Sequence, residues 1–70
     1  MRYEMMIHVE AGQGDWGSDW KRVAYNLSLR EGKNYCEQYA LLGKHARLFT
    51  QGNVLGKLVY EMQGESNAHP

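Results

Sequence analysis

The sequence predicts an α+β domain, an antiparallel four-stranded sheet with one helix packed on one face, in the element order ββαββ. Three observations carry this. Residues 28–43, SLREGKNYCEQYALLG, hold the only complete set of helix signals in the chain. Residues 2–10 alternate strictly in hydropathy, as a half-buried strand does. Two more β-rich runs flank Gln51-Gly52-Asn53, a short glycine-containing link that suits a hairpin.

The first strand puts Tyr3, Met5, Ile7 and Val9 on one face and Arg2, Glu4, Met6, His8 and Glu10 on the other. Residues 11–19, AGQGDWGSD, have the glycine, serine and aspartate content of a surface connection. Residues 20–27 fit two patterns: Trp20, Val23, Ala24 and Leu27 have helical spacing, whereas Val23, Tyr25 and Leu27 alternate. The β-branched and aromatic content, and a new helix start at Ser28, favour strand.

Ser28 and Glu31 form a capping box, in which the hydroxyl takes a free first-turn N–H and the carboxylate reaches back to the cap. Leu29, Gly32, Tyr35, Cys36, Tyr39, Ala40 and Leu42 fall on one side of the helix, opposite Arg30, Lys33, Asn34, Glu37 and Gln38. Gly32, Cys36 and Ala40 form a strip of small residues, which predicts close approach to the sheet. Gly43 is the helix stop. Strands are expected over 45–50 and 54–62, with Gly56 marking a bulge. Residues 1–62 then make one domain, and 63–70, QGESNAHP, a flexible tail without an apolar anchor.

The helix covers one sheet face and leaves the other without a second layer. That face should carry Arg2, Glu4, Met6, His8, Trp20, Arg22, Lys57 and Val59, together with either Arg47 and Phe49 or Ala46 and Leu48. Methionine, tryptophan and valine mixed with arginine are more apolar than solvent exposure requires, which is typical of an interface.

Lys plus Arg and Asp plus Glu each number 8, so no net field draws the chain to nucleic acid or to an anionic membrane. A single cysteine, no charged-then-apolar leader and no long apolar run lead to the expectation of a reduced, soluble, cytoplasmic protein without membrane association. A domain of 70 residues buries little surface, so a homodimer or a partner would add stability.

No catalytic motif withstands scrutiny. Gly12-Gln13-Gly14-Asp15-Trp16-Gly17 matches G-x-G-x-x-G, but a strand follows it where a dinucleotide site needs a helix, and the chain is too short for a Rossmann unit. Cys36 reads as a small buried hydrophobe. His8 and His45 lie on separate strands with no acid spaced to orient either, and with His69 they lack metal-ligand spacing. The expectation is therefore no catalytic residue, no metal and no cofactor. Trp16, at the tip of a polar loop with little core to fill, is a candidate partner-binding residue together with Trp20, Arg22 and Arg47. The same arginines, with Lys57 and the aromatics Trp20, Phe49 and Tyr60, make a nucleic-acid-binding sheet the alternative, opposed by Glu4, Glu10 and Glu61.

The run Trp20-x-x-Val23-Ala24, then Ser28-Leu29-x-x-Gly32, Arg47-Leu48 and Gly52-x-Val54, resembles short bacterial and phage orphan proteins with a strand-strand-helix-strand-strand layout, including phage anti-CRISPR proteins. Those inhibitors share no signature, so the resemblance carries over no site residue. Gly32 departs from the alanine usual at that helix position. The resemblance implies a phage-encoded inhibitor of a host defence complex such as CRISPR-Cas. The functional expectation is a small non-catalytic protein-binding module, with a nucleic-acid-binding sheet and a structural homodimer as alternatives.

Overall fold

The computed structural model describes residues 1–52 and 56–64. Its elements are β1 (Tyr3–His8), β2 (Trp20–Leu27), α1 (Leu29–Leu41), β3 (Ala46–Thr50) and β4 (Leu58–Met62). The strands form one antiparallel sheet in the order β2-β1-β3-β4, with α1 against it, the expected α+β architecture. β2 and β3 run in the same direction on either side of β1, so a tight turn cannot join them. The chain instead crosses over through α1.

The capping box forms as the sequence requires. Ser28 Oγ accepts from the Glu31 N–H at 3.1 Å, and Glu31 Oε1 accepts from the Ser28 N–H at 2.9 Å. The Ser28 N–H, and then its hydroxyl, hold the Glu31 carboxyl below its ordinary value. The helix ends at Gly43, φ 80°, where the Gly43 and Lys44 N–H groups donate to the Ala40 and Tyr39 carbonyls.

Only Gly32, Cys36 and Ala40 of α1 are buried. A Cβ on Gly32 would stand 2.5 Å from Leu48 Cδ1, so the small-residue strip lies directly on β3. That closeness explains a departure from the expected apolar side. Leu29, Tyr35 and Leu42 are exposed, because a helix seated this low meets the sheet along one narrow stripe and its larger flanking side chains diverge from it. The core is Met5, Ile7, Leu27, Cys36, Ala46 and Leu48, joined by the partly buried Tyr3, Val9, Val23, Ala24, Tyr39, Tyr60 and Met62.

Strand β2 is bulged twice. Met6 pairs with Arg22, Met5 with Ala24 and Tyr3 with Leu27, so each register shift inserts one extra residue. Asn26 takes the left-handed conformation at φ 61°, and its N–H donates to Gln51 Oε1 at 2.6 Å. The bulges break the expected Val23, Tyr25, Leu27 alternation, turning Tyr25 to solvent while Val23 and Ala24 both approach the core.

The first strand is shorter than its pattern, and the last begins at Leu58 rather than at residue 54. The bulge expected at Gly56 falls instead where Leu58 and Tyr60 face Phe49 and Leu48. Gly56 precedes the strand, where a Cβ would collide with the Thr50 carbonyl. Part of the predicted hairpin link, with Val54 and Leu55, lies outside the described residues, as do residues 65–70 of the expected tail. Gly64, the second residue of that tail, lies against the Gly43 and Lys44 backbone. No helix among the described residues is long and apolar enough to cross a membrane.

Candidate functional site

The face opposite α1 is assembled by pairing. His8 faces Trp20, Met6 lies between Arg22 and Arg47, Glu4 faces Phe49, and Arg47 faces Glu61. The parity of β3 is thereby fixed, with Ala46 and Leu48 in the core and Arg47 and Phe49 on the uncovered face.

A band of polar and aromatic groups crosses this face from β2 to β4. The Arg47 guanidinium lies 4.2 Å from the Trp20 ring centroid, in cation–π contact. His8 and His45 meet the same indole edge-on, at centroid distances of 5.2 and 5.3 Å. Arg47 Nε donates to Glu61 Oε2 at 2.6 Å, and His45 Nε2 lies 2.6 Å from the same oxygen. Arg47, followed by His45, holds the Glu61 carboxyl below its ordinary value. His45 therefore has an acid partner, which its place in the sequence did not indicate. The partner comes from β4, sixteen residues away in the chain.

Above the face sits the β1–β2 connection. Its tight turn, Asp15–Gly17, is where the G-x-G-x-x-G match would have needed a helix to open. Asp15 Oδ2 accepts from the Arg22 N–H at 2.9 Å, tying the turn to β2. Gly14 lies so close to the Trp20 backbone that a Cβ there would collide with it. The turn and the sheet enclose an open cleft of about 520 Å³, lined by Glu4, Met6, Asp15, Trp16 and Arg22. Arg22 Nη1 lies 3.5 Å from Glu4 Oε1, and its guanidinium 5.1 Å from the Tyr25 ring centroid.

Trp16 is fully exposed, with a relative exposure of 103 %, and its backbone is left-handed at φ 58°, ψ 27°. The ring does not fold back to cover the sheet edge. Of the four residues singled out from sequence, Trp20 and Arg47 join in the stacked band, while Arg22 and Trp16 line the cleft beside it. Glu4, Met6, His8, Asp15, His45 and Glu61 complete these two groups and were not singled out. His8 and Glu4 were legible from the alternation of the first strand; Asp15, His45 and Glu61 depend on pairings that only the fold reveals.

Cys36 is buried beneath the helix, where desolvation raises its thiol to about 11. Among the described residues, no group of three or more His, Cys, Asp and Glu side chains is arranged to hold a metal ion. No protein-family model, curated protein or solved structure matches the chain.

Proposed function

We propose that the chain is a non-catalytic protein-binding module that docks on a larger partner through its uncovered sheet face, with Trp16 as leading anchor and Trp20, Arg22 and Arg47 behind it. The observation that carries this reading is the state of Trp16, fully exposed and left-handed at the rim of the cleft. A left-handed backbone costs an L-residue about 1–2 kcal/mol, and an indole in water returns none of it to the fold. A partner that buries the ring recovers apolar area, and tryptophan and arginine dominate binding hot spots. The narrower reading, an inhibitor of a host defence complex, follows the resemblance alone and assigns no further residue.

Arg47 is stacked on Trp20 and bound to Glu61, while Glu4 lies beside Arg22. A base would have to displace Arg47 before stacking on that face of Trp20, and both arginines bring carboxylates with them. This favours a protein partner over single-stranded nucleic acid.

The test is parallel affinity capture with the wild-type chain, Trp16→Ala, and Arg30→Ala on the far side of α1, followed by titration of the captured protein. Trp16→Ala should keep the fold and weaken binding by more than about 1 kcal/mol, roughly fivefold, while Arg30→Ala leaves it unchanged. Equal binding by all three removes Trp16 from the proposal.

A further inference from the structure

One indole on the uncovered face already has its cation. The Arg47 guanidinium lies 4.2 Å from the Trp20 ring centroid, and its Nε donates to Glu61 Oε2 at 2.6 Å. A planar guanidinium satisfies an aromatic face and a carboxylate at once, because it stacks flat and donates within its own plane.

The cleft beside the Asp15–Gly17 turn brings together an indole and two carboxylates, Trp16 with Glu4 and Asp15. Trp16 is fully exposed, and among the described residues no cationic side chain lies over its ring. Arg22, the guanidinium in the lining, is turned to other groups. It lies 5.1 Å from the Tyr25 ring centroid, and its Nη1 is 3.5 Å from Glu4 Oε1, the outer limit of a hydrogen bond. Asp15 Oδ2 accepts from the Arg22 backbone N–H, a neutral donor that leaves the carboxylate charge uncompensated. Among the described residues, nothing donates to Glu4 Oε2 or to Asp15 Oδ1. Two carboxylates against one guanidinium leave the lining with an excess of negative charge.

We infer that this cleft takes an arginine side chain of the protein partner, its guanidinium laid on the Trp16 indole and its N–H groups directed to Asp15 and Glu4. The inference rests on the docking role proposed above and names the chemistry of what docks. Charge complementarity selects a cation, since an acidic side chain or a phosphate would meet both carboxylates to reach Arg22. Arginine suits the cleft better than lysine, whose compact ammonium cannot stack flat while it spans two acceptors. Met6, also in the lining, gives the apolar stem of an arginine a wall to lie on.

The test is titration of the full, isotope-labelled chain with a capped Gly-Arg-Gly peptide and its lysine and glutamate counterparts. NMR reads the indole N–H of Trp16 and the backbone N–H groups of Met6 and Arg22. The arginine peptide should shift these signals while the Trp20 indole stays in place, with a Kd in the millimolar range expected of one side chain. Lysine should bind more weakly and glutamate not at all. Glu4→Gln and Asp15→Asn preserve shape, and the new asparagine carbonyl still accepts from the Arg22 N–H. Each should weaken binding about threefold, and Trp16→Ala about fivefold. Signals that ignore the arginine peptide overturn the inference, as does binding undiminished by both carboxylate variants. A preference for the glutamate peptide also overturns it, because Arg22 would then be the recognising group. The docking role is judged separately, by capture with Trp16→Ala. Capture that needs Trp16, alongside a cleft indifferent to the arginine peptide, would keep the docking surface and strike arginine as its ligand.

Discussion

Arg47 and Trp20 stack across the sheet although the strand that carries His8 separates theirs, with the guanidinium 4.2 Å from the ring centroid. The contact bridges β1, and Glu61 anchors the far side of the guanidinium at 2.6 Å. A cation–π pair at a partly exposed site contributes about 0.5–1 kcal/mol. Trp20→Leu should therefore destabilise the fold by about 1 kcal/mol in urea unfolding. In a double-mutant cycle with Arg47→Met the coupling should be about 0.5–1 kcal/mol. Zero coupling would mean that the stack holds neither residue in place.

Gly32 tests how low α1 sits. Alanine is the better helix former by about 1 kcal/mol, so an isolated helix would gain from Gly32→Ala. Here the new methyl meets Leu48 Cδ1 at 2.5 Å and Cδ2 at 2.7 Å, and Leu48 is fully buried. Overpacking costs about 1–3 kcal/mol, so the net effect should be a loss of about 1 kcal/mol of stability, read as a lower urea midpoint. Adding Leu48→Val should recover part of that loss. A more stable Gly32→Ala protein would place the helix farther from the sheet.

The helix was legible because its signals are local: the Ser28 and Glu31 cap, the Gly43 stop and the small strip are all set by neighbours within a few residues. Strand β2 was ambiguous for a physical reason. Its two bulges each add a residue, so its inward side chains recur at Val23 or Ala24 and then Leu27, a spacing close to a helical turn. The apparent helical pattern was the trace of the bulges. Trp20 and Arg22 could be placed on the uncovered face from the sequence, whereas the side taken by Arg47 depended on the parity of β3, which only its pairing with β1 fixes. The meeting of His45 and Glu61 could not be read, since it requires β3 and β4 to pair in one particular register.

Acid should loosen the structure at two carboxylates. Glu61, held by Arg47 and then His45, and Glu31, held by the Ser28 N–H, both have folded values below their ordinary 4.5. The unfolded chain then binds protons first as pH drops. The stabilisation is complete above about pH 4.5 and is lost as pH falls through the depressed folded values. The urea midpoint should fall as the pH drops below about 4.5, and Glu61→Gln should flatten part of that slope. A slope unchanged in Glu61→Gln would show that the Arg47 contact does not persist in solution.

Trp16 makes the proposed function and the stability of the fold pull in opposite directions. Its φ of 58° is comfortable for glycine and strained for tryptophan, and its ring contributes no burial to the folded chain. Trp16→Gly relieves about 1–2 kcal/mol of left-handed strain but gives the unfolded chain more freedom, costing about 0.5–1 kcal/mol. The net change should be a gain of about 0.5–1 kcal/mol, read as a higher urea midpoint with an unchanged slope. The same substitution should remove the anchor and with it partner binding. Trp16→Ala keeps the strain and loses the ring, so it should bind as poorly as Trp16→Gly while gaining no stability. If Trp16→Gly instead destabilised the protein, the indole would be holding the loop on the sheet, and its exposure would no longer count as evidence for a partner.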